Sequence, residues 1–190
     1  HSNLRRQRQM CIRDRFAGFI VVYRYVIETM NSFFMKKYLN PFSAIAHFAL
    51  GLLIISISFN SLLSSERALN IKINEFEEYK DLKIFFKDIK VLKNSNHDSI
   101  EATFVLENQK GRTFDLSPEK RRYFTRGQIT TETAIFIMPL KDIYMTIGDQ
   151  LDDGSWIVNI QINYLIRWIW FSAGLMAFAG IVLMFSKRNI

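Results

Sequence analysis

Two long runs without a charged residue constrain the fold more than any other feature of this chain. Between Lys37 and Glu66 lie 28 consecutive uncharged positions, and their apolar centre is Pro41–Leu63. As a helix, this centre would be roughly 34 Å long at about 1.5 Å per residue, which matches the hydrocarbon thickness of a bilayer. A second run, Trp168–Ser186, has 19 uncharged residues. We predict that both runs cross a membrane as α-helices.

The formal net charge of +7 is concentrated beside these two runs. Residues 1–40 carry +6 and residues 187–190 carry +2, whereas the 146 residues between them carry −1. Because positively charged flanks stay on the cytoplasmic side of a span, both ends are expected in the cytoplasm, with residues 187–190 as a short tail. Residues 64–167 would then form a periplasmic domain at a bacterial inner membrane. The near-neutral charge of this domain argues against nucleic acid as a partner.

The segment before the first run has two parts. Residues 1–15 hold five Arg and no Lys and include the single cysteine of the chain, Cys11. We interpret them as a suspect or truncated N-terminus and exclude them from fold reasoning. Residues 16–40 are apolar but contain Arg24 and Glu28, and charges near the middle of a span are costly. We therefore expect a cytoplasmic or interfacial segment there.

Residues 64–167 have the pattern of β-structure. Short stretches rich in Ile, Phe, Val and Thr alternate with turn residues, and apolar and polar positions alternate clearly in residues 156–162. Asp153-Gly154 is a hairpin signal. The fold class predicted is a membrane protein in which two transmembrane α-helices flank a small antiparallel all-β extracytoplasmic domain, either a sandwich or a barrel. The predicted strands are LNIKINEF, KIFFKDIKVL, IEATFVLE, RTFDL, ETAIFI, DIYMTIG and GSWIVNIQI.

His47 is the chemically distinctive residue of the first run. It lies six residues after Pro41, or roughly 9 Å toward the membrane centre. Ionisable residues inside a membrane are costly and mark functional sites by default, and imidazole is a common axial ligand of haem iron. The alternative is a hydrogen-bonded histidine between packed helices, with Ser43 on the same helix face.

Other polar and small residues support weaker hypotheses. A basic cluster in the β region could receive the carboxylates of haem propionates or of an acidic partner, or it is a solvated strand end; it consists of Lys120, Arg121, Arg122 and Arg126. His97, in the polar stretch NSNHDS, is expected to be a solvated loop residue. Trp168 and Trp170 are expected in an aromatic belt at the outer membrane boundary. Close helix approach in the second run is expected at Gly174, Gly180, Ala173, Ala177 and Ala179.

Motifs of a self-sufficient enzyme are absent from the sequence. It contains no Gly-rich phosphate loop, no G-x-S-x-G elbow, no H-E-x-x-H and no C-x-x-C-H. The chain is therefore not expected to be catalytic alone.

An ordered set of short motifs gives the chain a family resemblance that runs from about Lys37 to Arg188. The motifs are Ala46-His47, Ser65-Glu66-Arg67, Pro118–Tyr123 (PEKRRY), Thr131–Ile135 (TETAI), Lys141–Gly148 (KDIYMTIG), Asp153–Trp156 (DGSW) and Arg167–Trp170 (RWIW). In this order and spacing, the chain resembles the C-terminal part of the CcmF family, the haem lyase subunits of cytochrome c maturation that are related to NrfE.

This resemblance implies a function and a cofactor. It implies that His47 corresponds to the second of two transmembrane histidines that hold a b-type haem. The family uses that haem, which takes electrons from a quinol, to reduce the iron of the haem being attached. Haem delivered by CcmE is joined to the cysteine thiols of apocytochrome c with CcmH-type partners. The first histidine and the tryptophan-rich haem-binding segment would come from the N-terminal part of the same subunit.

A second hypothesis from a different class explains the same architecture. The chain could be a non-enzymatic, membrane-tethered β domain that docks partner proteins. That reading gives no role to His47 and treats the ordered motifs as coincidence.

Overall fold

The computed structural model describes residues 19–21, 23, 24, 27, 41–125 and 127–186. They fall into two compact units, one containing the two long helices with residues 139–141 and 163–165, and the other containing residues 65–138 and 142–162. The expectations for residues 1–15 and 187–190, and for most of residues 16–40, lie outside the described residues.

The first unit is built on helices α1 (Pro41–Leu63) and α2 (Ile166–Ser186). Helix α2 begins ahead of the charge-free run, so Arg167 lies in its first turn. In the most apolar 18-residue stretch of each helix, only 28% is buried in α1 and only 11% in α2. A core helix of a soluble protein would bury its apolar side chains, so this exposure, together with the length and composition of both helices, is typical of membrane spans.

The second unit is an antiparallel β-sandwich, which decides between the sandwich and the barrel expected from the sequence. One sheet has the strand order β1-β10-β9-β8, and the other has the order β2-β3-β4-β6-β7, with β5 also paired to β4. The predicted order along the chain, with one apolar helix before and one after an antiparallel β domain, is confirmed. The strands are β1 (Ser65–Ile71), β2 (Phe76–Tyr79), β3 (Leu82–Lys93), β4 (His97–Asn108), β5 (Thr113–Leu116), β6 (Glu119–Tyr123), β7 (Ile129–Glu132), β8 (Ala134–Ile137), β9 (Lys141–Gln150) and β10 (Trp156–Tyr164).

Alternating apolar residues of four long strands form the core of the sandwich. Because side chains of a strand point to opposite faces in turn, every second residue over much of β3, β4, β9 and β10 is buried. The rings of Phe86 and Phe104 stack at this core with their centroids 4.4 Å apart. The other buried apolar residues of these four strands are Leu82, Ile84, Ala102, Leu106, Ile143, Met145, Ile147, Trp156, Val158, Ile160 and Ile162.

Two of the predicted strands are interrupted in the structure, and one strand of the structure was not predicted. The stretch LNIKINEF is not one strand, because the chain turns between β1 and β2 with Asn74 in the left-handed region at φ 68°. The stretch ETAIFI is divided at Thr133, where the chain passes from one sheet to the other. Strand β6 was not predicted, because four of its five residues are charged.

The β9–β10 connection is a turn stabilised by its own side chains. Gly154 has φ 81°, a conformation that glycine adopts without steric cost. The backbone N–H and the hydroxyl of Ser155 both donate to Asp153 Oδ1, at 3.0 and 2.6 Å. These bonds hold the pKa of Asp153 below its usual value, and the hairpin predicted from Asp153-Gly154 is confirmed.

Strand β3 is long and has one partly unpaired edge. Its first residues pair with both β2 and β4, whereas Asp88–Lys93 pair only with β4 among the described residues. The register with β4 shifts between Phe86 and Asp88, as at a β-bulge. The side chains of this distal half are mostly exposed, including Lys87, Lys90 and Lys93.

We predict that Phe104→Ala lowers the free energy of unfolding of the β-sandwich by about 3–5 kcal/mol. The substitution removes a fully buried ring and its stacking contact with Phe86. Denaturant unfolding of the detergent-solubilised chain, followed by β-sheet circular dichroism, would measure it. The matched control is Phe85→Ala on the opposite face of β3, where the ring is 37% exposed. An equal loss in both variants would contradict this account of the core.

Candidate functional site

His47 lies on α1 and is partly buried. Its ring Nδ1 is 2.7 Å from the backbone carbonyl oxygen of Ser43, one helical turn earlier. Because a carbonyl oxygen only accepts hydrogen bonds, Nδ1 carries the proton and donates it. The expected proximity to Ser43 is therefore present, but the partner atom belongs to the backbone and not to the serine hydroxyl.

This hydrogen bond fixes the tautomer and the orientation of the His47 ring. With the proton on Nδ1, the neutral imidazole carries its lone pair on Nε2. Metal-binding histidines typically donate the other ring N–H to a backbone carbonyl or carboxylate, which orients the ring and raises the basicity of the ligand nitrogen. The geometry at His47 has this form. In the part of the chain that the structure describes, no cluster of three or more His, Cys, Asp or Glu side chains could hold a metal ion.

Small residues mediate the contact between α1 and α2, but they are mostly not the predicted ones. Of the five small residues predicted in α2, only Ala179 is buried, and a Cβ added at Gly174 or Gly180 would meet nothing within 4 Å. The buried stripe of α2 instead comprises Ser172 and Ala179, seven residues apart, which is two helical turns. On α1, the buried residues are Ala44, Ala49, Gly51, Ser56 and Ser58.

Polar groups within the helices bond to backbone carbonyls. The hydroxyl of Ser56 donates to the carbonyl of Leu52 at 2.8 Å, and that of Ser172 donates to the carbonyl of Trp168 at 2.6 Å. In lipid, an unsatisfied polar group would be costly. These local bonds therefore let serine occupy the buried face of an apolar helix pair.

Hydrogen bonds join the end of α1 to Tyr164, which lies two residues before α2 begins. The amide of Asn60 donates to the carbonyl of Tyr164 at 2.8 Å, and the backbone N–H of Tyr164 donates to Ser64 Oγ at 3.1 Å. Leu165 follows in a left-handed conformation, φ 56°, and its N–H donates to the carbonyl of Leu140. The chain thus re-enters the helix pair beside the point where it left.

The two tryptophans at the start of α2 have different environments. Trp168 donates its indole N–H to the carbonyl of Pro139 at 2.9 Å, and its ring meets Phe171 edge-on at 5.9 Å between centroids. Trp170 is 75% exposed. Both were predicted as members of an aromatic belt, yet the polar end of Trp168 is bonded within the protein.

The basic cluster of strand β6 is divided by the geometry of the strand. Lys120 and Arg122 point to one face and Arg121 to the other, because successive side chains alternate. Arg121 donates through Nε and Nη2 to Glu119 Oε2, at 3.0 and 2.7 Å, and its Nη1 lies 3.3 Å from Glu132 Oε1. The structure therefore separates Arg121 from Lys120 and Arg122, and the three cations do not form one basic surface.

Lys120 and Arg122 also differ in their environment. Lys120 Nζ donates to the Asp149 carboxylate on β9. Arg122 is exposed, and within the described residues no ion pair involves it. Arg126, the fourth predicted member of the cluster, lies outside the described residues.

The Glu119–Arg121 pair is partly sheltered and electrostatically coupled. Only 15% of the Glu119 side chain is exposed. The hydrogen bond from Arg121 is the largest influence on Glu119 and holds the pKa of its carboxyl below the usual value, while the same bond raises the pKa of the guanidinium. The spacing Glu-x-Arg, which places both side chains on one face of a strand, is the signal in the sequence that could have predicted this pair.

His97 is not the solvated loop residue that was predicted. It is the first residue of β4, and only 14% of its side chain is exposed. Asn94 Nδ2 lies 3.0 Å from Nε2, and Nδ1 lies 2.6 Å from Asn96 Oδ1, so the contacts fit the neutral ring with its proton on Nδ1. Its ring also lies 5.2 Å from that of Tyr123. This histidine is held by a polar turn.

Comparison with known proteins gives consistent matches to one family. The sequence model described as "CcmF C-terminal beta-sandwich" matches residues 62–163. Cytochrome c-type biogenesis protein CcmF of Escherichia coli (strain K12) is 32% identical over 144 residues, which is 75% of this chain and 22% of that protein. CcmF of Pseudomonas fluorescens is 28% identical over 76% of this chain and 22% of its own length. This chain therefore spans about a fifth of the length of these curated relatives.

More distant matches extend the comparison. The probable cytochrome c-type biogenesis protein NrfE of Escherichia coli (strain K12) is 23% identical over 83% of this chain and 28% of that protein. The solved structure of a cytochrome c haem lyase CcmF superposes with a TM-score of 0.61 at 16% identity. It covers 74% of this chain and 23% of the solved one, and at this identity it supports the fold alone.

We predict that the acid sensitivity of the β-sandwich depends on Glu119. Because the pKa of Glu119 is lowered in the folded state, its ion pair stabilises the fold at pH values above the ordinary carboxyl pKa of about 4.3. That stabilisation is lost as the pH falls through the lowered folded pKa. Glu119→Gln should therefore unfold at a lower temperature than the unmodified chain at pH 7, and the difference should shrink below about pH 4.

Thermal unfolding across a pH series from neutral to acidic, ending at about pH 3.5, would measure this difference. The matched control is Glu78→Gln, whose carboxylate lies 4.0 Å from Lys83 Nζ and is 69% exposed, so it should change little. If the unfolding temperatures of Glu119→Gln and the unmodified chain differ by the same amount at every pH of the series, the prediction is contradicted.

Proposed function

Because the chain belongs to the CcmF family of cytochrome c biogenesis proteins, we propose that it is the C-terminal portion of a haem lyase subunit that attaches haem covalently to apocytochrome c. In this proposal, haem is the substrate, and a second haem, of the b type, is a resident cofactor in the membrane. The chain is not catalytic alone. It contributes one axial histidine, His47, and the rest of the same subunit supplies the other ligand.

The hydrogen bond from His47 Nδ1 to the Ser43 carbonyl is the observation that carries this assignment. This bond keeps the proton on Nδ1 and leaves the lone pair on Nε2, the nitrogen that would then coordinate haem iron. His47 is also the single histidine in the two helices. The residues present therefore fit a haem ligand, and a haem bound there supplies one-electron chemistry within the membrane.

The contribution of this chain is to position a ligand in an apolar environment. Ser43 and His47 are one turn apart on α1, so the backbone carbonyl restrains rotation of the imidazole ring. A fixed ring orientation reduces the conformational entropy lost when the nitrogen coordinates a metal. The surrounding helix surface is apolar and lacks any Asp, Glu, Lys or Arg over Pro41–Leu63. Such surroundings favour a neutral ligand over a charged one.

The expected partners follow from family membership. We propose that the chain works with CcmE-type and CcmH-type maturation proteins, with apocytochrome c and with membrane lipid. Of the basic cluster, Lys120 and Arg121 already pair with Asp149, Glu119 and Glu132. We therefore assign contact with an acidic partner or a haem propionate chiefly to the exposed Arg122, with Arg126 as a further candidate.

For the orientation, we propose that residues 64–167 are periplasmic and that residues 1–40 and 187–190 are cytoplasmic at the bacterial inner membrane. The joint between Asn60, Ser64 and Tyr164 supports this proposal, since the chain leaves and re-enters the helix pair at the same end. Residues 1–40 and 187–190 carry the charges of +6 and +2, which the positive-inside rule assigns to the cytoplasmic side.

We predict that His47→Ala abolishes the b-type haem absorption band of the complete membrane subunit that contains this chain. The substitution removes the axial nitrogen while leaving the helix intact, because alanine is the strongest helix former. Absorption spectra of the purified, detergent-solubilised subunit would measure the band. Imidazole added to a His47→Gly variant should restore part of it, a result that a purely structural role of His47 would not give.

The matched control is His97→Ala, which removes a histidine from the β-sandwich and should leave the band unchanged. If His47→Ala retains both the band and cytochrome c maturation, the ligand assignment is wrong. That outcome would favour the alternative function, a non-enzymatic membrane-tethered β domain that docks partners.

We predict that a cysteine introduced at Asn96 reacts with a membrane-impermeant thiol reagent in intact cells. Asn96 lies in the exposed β3–β4 turn, so the thiol would be accessible from the periplasm. The experiment uses a Cys11→Ser background, because Cys11 is the one cysteine of this chain. In this background, a cysteine at Asn189 should react only after lysis, and the reverse pattern would overturn the orientation.

A further inference from the structure

The start of α2 forms one side of a cavity that combines apolar walls with one cation. The cavity has a volume of about 350 Å³ and is lined by Pro139, Arg167, Trp168 and Phe171. All four residues belong to the helical unit. Proline, tryptophan and phenylalanine supply the walls, and the guanidinium of Arg167 is the single charged group among the lining residues.

The walls of this cavity are held in place by bonds within the protein. Trp168 donates its indole N–H to the Pro139 carbonyl, and the neighbouring Leu140 carbonyl accepts the N–H of Leu165. The Phe171 ring meets the Trp168 ring edge-on. The indole N–H is thus already bonded, so the tryptophan offers an occupant of the cavity mainly its apolar ring.

The position of the cavity along α2 indicates the depth at which it lies in a membrane. Arg167 is the last charged residue before the charge-free run of the helix, and the residues that follow expose large apolar side chains. Trp170 is 75% and Phe171 is 55% exposed. Leu140, next to Pro139, is 62% exposed as well. The cavity therefore lies where an apolar, lipid-facing surface meets the first cationic group.

We propose that this cavity binds one anionic phospholipid. The phosphodiester of the headgroup pairs with Arg167, and the upper part of one acyl chain lies against Trp168 and Phe171. Arg167 forms no ion pair among the described residues, so its charge is available to a phosphate. A guanidinium binds phosphate through two parallel N–H donors, and the continuity of the cavity with the lipid-facing side of α2 favours a membrane lipid over a soluble ligand.

This site is independent of haem binding at His47. It would anchor the start of α2 and the Pro139–Lys141 segment at the membrane surface. A bound lipid stabilises the folded state by mass action, so its presence is measurable without any assay of cytochrome c maturation.

The test uses the detergent-solubilised complete subunit and titrates it with palmitoyl-oleoyl phosphatidylglycerol. Native mass spectrometry should show one phosphatidylglycerol retained per chain, and the thermal unfolding temperature should rise to a plateau. Arg167→Gln should weaken this binding roughly tenfold or more, because hydrogen bonds to charged groups are the strong ones. The control Arg112→Gln, which removes an exposed arginine from the β-sandwich unit, should bind lipid like the unmodified protein.

Two further measurements distinguish the lipid from other occupants. Inorganic phosphate at the same concentration should not raise the unfolding temperature, and the same rise with phosphate would show a simple anion site and overturn the proposal. Equal lipid binding by Arg167→Gln and Arg112→Gln would also overturn it. Should Arg167→Gln fail to fold, Phe171→Ala replaces it. This substitution removes the ring that lines the cavity and against which the acyl chain lies, so lipid retention should fall; unchanged retention would contradict the proposal.

Discussion

The arrangement of the helical unit depends on the hydrogen bonds that Asn60 and Ser64 make with Tyr164. Two apolar helices in lipid gain no hydrophobic free energy from contact with one another, because lipid tails are as apolar as their side chains. Close packing of small residues and polar bonds must supply the specificity instead. Asn60 and Ser64 bond to both backbone groups of Tyr164, and these bonds set which end of α1 meets the start of α2.

The positions of the helices and most strands could be predicted, because each depends on a local pattern. A charge-free run predicts a helix in lipid, and alternation predicts the buried faces of β3, β4, β9 and β10. The predictions that failed concerned residues whose conformation depends on pairing with residues distant in the sequence. Strand β6 has no apolar pattern and exists because Ser99, Ile100 and Glu101 of β4 pair with it from a distant part of the chain. The left-handed turn at Asn74 was likewise decided by pairing, since its N–H bonds to Phe86.

The candidate site shows the same division between local and distant information. The depth of His47 in α1 follows from counting residues, and the proximity of Ser43 follows from helical geometry. The atom that accepts its proton could not be predicted, because side-chain and backbone acceptors of Ser43 lie on the same helix face. The basic cluster was misjudged for another reason. Glu132 and Asp149 approach Arg121 and Lys120 only in the folded sandwich, so a row of cations in the sequence becomes a set of ion pairs with one exposed arginine.

The distal half of β3, which has no partner on one side among the described residues, has a consequence for folding. A free strand edge offers unpaired N–H and carbonyl groups to any other unfolded or partly folded chain. Here the edge carries Lys87, Lys90 and Lys93 and follows a register shift. If two copies approached edge to edge, their lysines would repel one another, and the bulge would spoil the alignment of the backbones. The lysines and the register shift thus protect this edge from pairing with a second copy while the domain folds.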